Sequence, residues 1–392
     1  MKKSLLTLSL GGFGIGMTEF VMMGILPDIA SQQKVTIPEA GHLISAYALG
    51  VVVGAPLLVS LAGKYPPKNI LIGLMVLFTV FNGFSALAPN YEFLLTARFF
   101  SGLPHGAFFG VGAVVASRLA EKGKEAQAVS IMFSGLTFAN IIGVPLGTYI
   151  GHNLSWRITF LIVAVIGVLT IISILLWLPS VVTSKSANRS DEFKLFGKLE
   201  PWMIIGITAI GTGGLFAWFS YIAPLLINVS HFESNSIMFV LMIAGVGMAV
   251  GNIIGGKLAD RFSPLKTAIC LLFAMMVSLG IVISVAEYQI PMLIMTFVTG
   301  AVAFSLVSPI QMLMITTAKD SEMLASSLTQ ASFNIGNALG AYFGGLPIAA
   351  GLGYVSPNWV GIVLAFIGFV IAIILLLKQK MNPVVEVREI VK

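Results

Sequence analysis

Two side chains that carry a charge in water at neutral pH, Glu19 and Arg98, interrupt long apolar stretches in the first half of the sequence. A charge at the centre of a lipid bilayer costs at least about 2.5–3.5 kcal/mol, so such a side chain is usually paired, turned to a wet cavity or retained for function. An acid and a base in the same half of the chain suggest a pair. A carboxylate that a cavity alternately wets and dries can also gain and lose a proton, which predicts proton-coupled chemistry. The alternative is a structural ion pair without a proton role.

His105 follows Arg98 by seven residues, so both side chains leave a helix from about the same face. An imidazole there could relay a proton, or it could be a packed, hydrogen-bonded histidine beside Gly106. We take Glu19, Arg98 and His105 as candidate proton-coupling residues. The remaining histidines are scattered and the single cysteine, Cys270, lies in an apolar run, so the sequence predicts neither a metal site nor a disulfide framework.

Aromatic and amide side chains inside apolar stretches are candidates for substrate binding, because sugar and drug sites combine rings that stack on the ligand with a few polar groups. Each candidate has an alternative. Trp and Tyr near the ends of spans anchor helices at the membrane interface, and buried Asn can join helices. The candidates are Tyr47, Asn140, Phe216, Trp218, Tyr221, Gln311, Asn334 and Asn337.

The composition predicts that a membrane surrounds these residues. Hydrophobic residues make up 57% of the 392-residue chain and charged residues only 10%, and the mean hydropathy is +0.98. A soluble domain carries about 25% charged residues to cover its surface. The net charge of +6 would suggest a nucleic-acid partner in a soluble protein, but its distribution along this chain indicates membrane orientation instead, so we expect no nucleic-acid partner.

Apolar stretches long enough to cross a bilayer, about 20 residues each, recur along the whole sequence. They predict an all-α membrane protein with twelve transmembrane helices. We place the spans near 5–26, 39–61, 70–88, 93–116, 126–149, 157–178, 202–227, 237–257, 266–285, 291–316, 323–349 and 358–377.

Most of the 22 Lys and Arg residues fall between alternate spans, on the side that also carries both termini. This bias places both termini in the cytoplasm and agrees with an even number of spans. One polar stretch joins the two halves. The predicted organisation is an N-terminal six-helix bundle at 1–180, a cytoplasmic linker at 181–200 and a C-terminal six-helix bundle at 201–392.

The two halves repeat each other at an offset of 197 residues, about half the chain. Tandem duplication in so apolar a chain indicates a transporter whose site lies between two similar halves. The matching pairs are Gly14 with Gly211, Gly16 with Gly213, Pro27 with Pro224, Gly50 with Gly247, Gly54 with Gly251, Gly83 with Gly280, Asn140 with Asn337, Gly143 with Gly340 and Gly147 with Gly344.

Two short motifs complete the set of candidates. Gly256, Asp260 and Arg261 lie at the inner end of the eighth span, where Asp260 can accept hydrogen bonds from the start of a neighbouring helix; the alternative is an ordinary charged turn. The fifth span carries Gly143-Val-Pro145-Leu-Gly147, in which glycines four residues apart form a groove for another helix.

These motifs resemble those of the major facilitator superfamily, in its twelve-helix drug:proton antiporter subfamily and especially its sugar-efflux members. Gly256-x-Leu-Ala-Asp260-Arg261 resembles the signature between spans eight and nine, and its first-half copy has Gly63 in place of the acid. Arg98-Phe-Phe-Ser-Gly resembles the fourth-helix signature, in which the Arg is linked to proton transfer. Gly143-x-Pro145-x-Gly147 resembles the antiporter signature. The resemblance implies two pseudo-symmetric bundles and makes Gly256, Asp260 and Arg261 a conformational latch.

The sequence therefore predicts a proton-coupled secondary transporter of the cytoplasmic (inner) membrane. We expect a monomer that exports a sugar, drug or other small molecule by alternating access and needs no cofactor. The alternatives are a sugar importer, acting as a proton symporter or facilitator, and a non-transporting membrane sensor. A membrane enzyme is disfavoured because no His-Glu-x-x-His motif or nucleophile elbow is present, and without a Walker motif ATP does not drive transport.

Overall fold

The computed structural model describes residues 2–62, 65–121, 125–180, 197–317 and 322–381. Within these residues the chain folds as twelve helices with no β-strand. The uninterrupted helices are helix 1 (Lys2–Gln33), helix 2 (Ile37–Ala62), helix 3 (Pro67–Ala86), helix 4 (Tyr91–Leu119), helix 6 (Trp156–Trp177), helix 8 (Ile237–Arg261), helix 9 (Pro264–Val285), helix 11 (Glu322–Ala349) and helix 12 (Pro357–Met381).

Three further helices are interrupted. Helix 5 consists of Glu125–Phe138, a π-helical turn at Ala139–Gly143, Val144–Ile150 and a final π-helical turn at Gly151–Ser155. Helix 7 consists of Leu199–Gly206, a π-helical turn at Ile207–Gly211, Gly213–Ser220 and Ile222–Asn228. Helix 10 consists of Gln289–Ser305 and Val307–Thr317.

The expected number of membrane-crossing helices is confirmed. Ten stretches of the described residues are long and apolar enough to span a bilayer. One of them, Ala128–Trp177, holds two helices, because the chain takes an extended conformation at Ser155 (φ −169°, ψ 138°) and turns back into helix 6. Helix 11 is long enough to cross but lies outside the ten. It carries a run of Ser, Thr, Gln and Asn side chains that lowers its apolar character.

Proline explains the first π-helical turn of helix 5 and the break of helix 7 at Tyr221. A proline inside a helix has no N–H to donate, so one carbonyl of the preceding turn loses its partner. In helix 5 the π-helical turn comes directly before Pro145. In helix 7 the helix breaks at Tyr221 (φ −115°, ψ 20°), three residues before Pro224. Such irregular turns concentrate at functional sites, and both helices border the central cavity described below.

The sequence repeat reappears as repeated packing. In the first half, Gly50 and Gly54 of helix 2 lie on the backbone of helix 4, at Phe99 and Leu103. In the second half, Gly247 and Gly251 of helix 8 lie in the same way on the backbone of helix 10, at Phe297 and Ala301. Glycine is required at these places because a Cβ atom would overlap a carbonyl oxygen of the facing helix. The repeated pair Gly83 and Gly280 is different, because neither has a neighbouring atom at the position of an added Cβ.

The two halves meet mainly toward one end of the bundle, opposite the end at which the described chain starts and stops. Helix 2 packs along helix 11, and helix 8 packs against the π-helical turn and last segment of helix 5. The Ser45 hydroxyl of helix 2 donates to the Ala338 carbonyl of helix 11 (3.1 Å). Gly245 of helix 8 lies so close to Asn140 that an added Cβ would be 2.6 Å from its carbonyl carbon. We call this end of the bundle the far end.

The glycine packing makes a stability prediction. Gly251→Ala should destabilise the protein by about 1–3 kcal/mol, because the new methyl group forces helices 8 and 10 apart. Gly280→Ala is the matched control. It places the same methyl group in open space within helix 9, where alanine is the better helix former by about 1 kcal/mol.

Thermal unfolding of the two purified variants in detergent provides the measurement. The midpoint should fall for Gly251→Ala and stay or rise for Gly280→Ala. Equal midpoints for both variants would contradict the proposed requirement for a close helix crossing.

Candidate functional site

A cavity lies between the two halves of the protein. Together with the solvent at its opening it encloses ≈ 980 Å³ of empty space. Its walls come from helices 1, 4 and 5 of the first half and helices 7, 8, 10 and 11 of the second. The lining runs from Asn252, which is exposed, to Glu19, which is 5% exposed. Since Asn252 lies toward the chain-terminus end of helix 8, the cavity opens there and ends beneath the contacts of the far end.

Glu19 lies at the closed end of this cavity and touches both halves. Its carboxylate oxygen Oε2 is 3.9 Å from Nδ1 of His105 in helix 4. Its other oxygen, Oε1, accepts a hydrogen bond of 3.5 Å from the amide nitrogen of Asn337 in helix 11. Helix 1 therefore presents its single interior acid to one partner from each half. A change in the charge of this carboxylate alters contacts within the first half and across the interface.

Tyr47 of helix 2 lies next to Glu19 and His105 but outside the cavity lining. Its hydroxyl lies 3.1 Å from the same His105 Nδ1 that faces Glu19. A neutral imidazole can use Nδ1 either as an acceptor from the tyrosine O–H or as a donor, depending on its tautomer. Because Tyr47 and Glu19 share one ring nitrogen, a proton on that nitrogen cannot be directed to both at once. Tyr47 and His105 are 1% and 2% exposed, respectively, so bulk water does not compete at these positions.

The expected direct pair between Glu19 and Arg98 is wrong. Arg98 is fully buried and donates instead to the Thr18 hydroxyl (2.9 Å) and to the Thr18 carbonyl (3.1 Å). Its guanidinium also lies over the Tyr47 ring, 4.4 Å from the centroid. The reason is helical geometry. Thr18 and Glu19 are consecutive and project about 100° apart around helix 1, so an arginine bonded to Thr18 makes no direct contact with the Glu19 carboxylate, although the two charges still interact at longer range.

The proposed proton-coupling residues are nevertheless connected through Tyr47. The tyrosine ring contacts the Arg98 cation, and its hydroxyl contacts His105, which in turn faces Glu19. The Thr18 hydroxyl donates to the Asn82 side chain (2.6 Å), which fixes the acceptor that Arg98 uses. The sequence alone identified Tyr47 as a substrate candidate. In the structure it lies between two ionisable groups and is absent from the cavity lining.

The substrate candidates fall into three groups. Asn140, Phe216 and Asn334 line the cavity. Asn337 lies behind the lining and contacts Glu19. The other candidates are absent from the lining of this cavity, and their part in substrate binding stays a prediction; these residues are Tyr47, Trp218, Tyr221 and Gln311.

Two of the aromatic candidates outside the lining make packing contacts. Tyr221 is buried at the far end, where its hydroxyl donates to the Ala341 carbonyl (2.6 Å). An added Cβ at Gly41 of the other half would collide with that hydroxyl. Trp218 is 1% exposed and packs beside Phe219. Aromatic type alone cannot separate a ring that closes an interface from one that faces a ligand.

Most of the lining was missed by reasoning from sequence. It includes phenylalanines from four helices and two further amides, Asn252 and Gln330, and phenylalanine is too common in this chain to stand out. A signal did exist for helix 11, because Gln330, Asn334 and Asn337 follow a spacing of four and three and so share one helix face. The missed lining residues include Phe20, Phe133, Phe304, Phe333 and Gln330.

The two motifs differ in how much of them the structure describes. Gly143 and Gly147 of helix 5 face helix 1, where an added Cβ would meet Phe13 and Val21, respectively. Pro145 is buried between them. At the end of helix 8, Arg261 is exposed and lies over Phe262, 5.5 Å from the ring centroid. Gly256 has the Ser308 hydroxyl 3.8 Å from an added Cβ. The Asp260 side chain lies outside the described residues, so its predicted latch contacts stay a prediction.

Known proteins resemble this chain along nearly its full length. The family model of the Major Facilitator Superfamily matches residues 8–322 and 205–389. The putative transporter AraJ of Escherichia coli (strain K12) is 40% identical over 369 residues, which cover 94% of this chain and 93% of that protein. A probable sugar efflux transporter of Haemophilus influenzae (strain PittGG) is 30% identical and covers 96% and 94%.

A solved structure has the same fold. A bacterial homologue of the human lysosomal transporter Spinster, in an inward-facing and occupied conformation, matches with a TM-score of 0.74 over 96% of each chain. The two sequences are only 15% identical, so this likeness concerns the fold. Together with the family match, it confirms the expected arrangement of twelve helices.

The environment of Arg98 predicts that lysine cannot replace it. Arg98→Lys keeps the charge but cannot hold the Thr18 hydroxyl and carbonyl at once, nor lie flat over the Tyr47 ring. A lost hydrogen bond to a buried charge costs about 1.5–3 kcal/mol. We therefore expect a lower midpoint of thermal unfolding in detergent.

Arg157 offers a matched control, because it also donates to two acceptors, Gln32 (2.6 Å) and the Ala88 carbonyl (2.7 Å), and lies over Trp156. It is half-exposed, so water can replace what Arg157→Lys loses. A loss of stability in Arg157→Lys as large as that in Arg98→Lys would show that burial is not the decisive factor.

Proposed function

The chain belongs to the Major Facilitator Superfamily, and from this premise we propose that it is a proton-coupled secondary transporter that exports a sugar, drug or other small molecule by alternating access. The observation that carries the proposal is the position of Glu19. It is the single acid at the closed end of a cavity between two halves, and each half provides one of its contacts. At this position, a change in the protonation of Glu19 alters its contacts with both halves and therefore the stability of the interface between them.

The geometry supports alternating access. Contacts between helices 2 and 11 and between helices 5 and 8 close the far end, while the cavity opens toward the end that carries the chain termini. With both termini in the cytoplasm, as the Lys and Arg distribution predicts, this conformation faces inward. We propose that the chain lies in the inner membrane as a monomer and that the opposite state opens the far end.

Electrostatics supply the proposed coupling between proton and substrate. When the cavity closes around Glu19, an ionised carboxylate without a compensating partner costs several kcal/mol. The closed form is accessible when Glu19 carries a proton, or when hydrogen bonds from a bound molecule and from the neighbouring polar groups stabilise the carboxylate. The carrier therefore changes sides with a proton or with its substrate. This alternation is the requirement for an antiporter. In this scheme His105 receives or returns the proton, and Tyr47 holds the imidazole in place.

The proposal includes the two motifs. The π-helical turn before Pro145 gives helix 5 a point at which its far segment can move relative to helix 8. Gly256, Asp260 and Arg261 would act as a latch at the cytoplasmic end of helix 8. Gly256 lies near helix 10, which agrees with a contact between neighbouring helix ends.

Glu19→Gln tests the central claim. Glutamine keeps the size and hydrogen-bonding capacity of the residue but cannot cycle a proton at neutral pH. We expect gradient-driven transport against a concentration difference to be abolished in vesicles. Counterflow exchange of substrate should persist, because changing sides with bound substrate needs no change of charge. Both activities are measured on the same purified variant with an imposed pH gradient.

Glu287→Gln is the control, since Glu287 is exposed at the start of the loop before helix 10. It should transport like the parent chain. Full proton-driven accumulation by Glu19→Gln would refute the role of Glu19. Loss of both activities in a folded variant would make Glu19 a substrate ligand. Substrate movement in the same direction as the protons would replace export by import through a symporter.

A further inference from the structure

The lining of the central cavity combines two kinds of side chain. The first kind lies on helix 11, where Gln330, Asn334 and Asn337 share a helix face that runs from the opening toward Glu19. We call these three residues the amide face. Gln330 and Asn334 line the cavity, and Asn337 lies at its closed end. Such a row offers hydrogen bonds but no charge.

Asn334 has an acceptor that the protein leaves unused. Its amide nitrogen donates to the Gln330 backbone carbonyl (3.1 Å), which fixes the orientation of the side chain. The residue is 3% exposed, and its oxygen Oδ1 is buried without a hydrogen-bond partner in the described part of the chain. A buried acceptor without a donor costs about 1–3 kcal/mol. Because Asn334 lines the cavity, a bound molecule with an O–H or N–H group can remove this cost.

The rest of the lining is mainly apolar. Rings from helices 1, 5, 7, 10 and 11 surround the space, together with Leu and Met side chains. We call these rings the phenyl wall. Aromatic faces favour flat apolar groups in offset or edge contacts. The phenyl wall consists of Phe20, Phe133, Phe216, Phe304 and Phe333.

The charge of the lining limits the ligand further. No Lys or Arg of the described residues lines the cavity, so an anion would enter an apolar space without a counter-ion. The single acid, Glu19, is nearly buried and already contacts His105 and Asn337. A neutral ligand fits this environment best. A free sugar fits less well, because those of its hydroxyl groups that face the phenyl wall would lose water without gaining partners.

We propose that the cavity takes a neutral amphiphile, whose aromatic or aliphatic body lies on the phenyl wall and whose hydroxyl or amide N–H donates to Oδ1 of Asn334. This inference rests on the proposed transport function and assigns its substrate class. Asn334 is the specificity-determining residue, because among the described lining residues it is the one whose fixed orientation leaves a buried acceptor free. Molecules with an apolar body and at least one donor are selected over molecules that lack either feature.

The test uses matched probes and binding alone. The probes are 4-nitrophenyl glycosides and phenyl-substituted diols, each compared with its fully O-methylated ether; the free parent sugars are a third set. Equilibrium dialysis with the purified chain in lipid nanodiscs gives dissociation constants without any gradient. At least one aryl compound with free hydroxyls should bind at least about tenfold more tightly than its ether, the factor expected for about 1.4 kcal/mol. Free sugars should bind more weakly than their aryl glycosides.

The variant Asn334→Leu has a similar volume but no acceptor, so it should abolish the preference for the free hydroxyl over the ether. Asn358→Leu is the control. Asn358 is buried in helix 12, its amide nitrogen donates to the Val355 carbonyl (2.9 Å) and its oxygen is also unpartnered, but it does not line the cavity. Its substitution should leave the preference intact. If Asn334→Leu does not fold, the comparison of each hydroxyl compound with its ether on the parent chain still tests the inference.

Several results overturn the inference. These are equal binding of hydroxyl compound and ether, tighter binding of free sugars than of aryl glycosides, no binding by any probe, or an unchanged preference in Asn334→Leu. None of them concerns the proton. The proposed transport function fails separately, when vesicles that contain the chain show no proton-linked movement of any substrate.

Discussion

The interaction on which the site depends is the anchoring of a buried guanidinium. Arg98 has no access to water, so its charge must be compensated by the protein. Two oxygens of Thr18 accept its hydrogen bonds and the face of Tyr47 lies beneath it. These contacts fix helix 4 against helices 1 and 2. They also fix the tyrosine hydroxyl beside His105 and leave the next residue of helix 1, Glu19, directed to the cavity.

A second constraint is steric. Glycines bring helix 2 onto helix 4 and helix 8 onto helix 10, and another glycine brings helix 8 onto helix 5 across the two halves. In a bilayer the helices gain little from excluding water, so close backbone contact and shape provide much of the adhesion. The same kind of contact therefore builds each half and closes the far end. The interface between the halves is smaller than the packing within them, which agrees with a proposed motion of two rigid bundles about a central cavity.

The proposed proton chemistry and the proposed ligand preference occupy different parts of one cavity. Glu19 and His105 meet at its closed end, where Asn337 of the second half also contacts Glu19. The remainder consists of a phenyl wall and an amide face. In the proposed mechanism the charge of Glu19 must be neutralised or stabilised before the cavity closes. A neutral ligand is compatible with this requirement, because closure then depends on the proton or on the polar groups of the ligand. Both follow from the low dielectric of a space lined mainly by hydrocarbon.

The sequence by itself determined the class of the protein, the number of helices and the repeat of two halves, and it identified Glu19, Arg98 and His105 as candidates for proton coupling. These depend on local properties. Twenty apolar residues define a span, and a charge within one is costly wherever the helix packs. Tertiary structure alone decided the partners. In the folded protein Arg98 donates to Thr18 and not to Glu19, Tyr47 lies between two ionisable groups, and Tyr221 lies at an interface. A one-residue step turns a side chain about 100° around a helix, so partners depend on helix rotation and packing, which apolar composition does not specify.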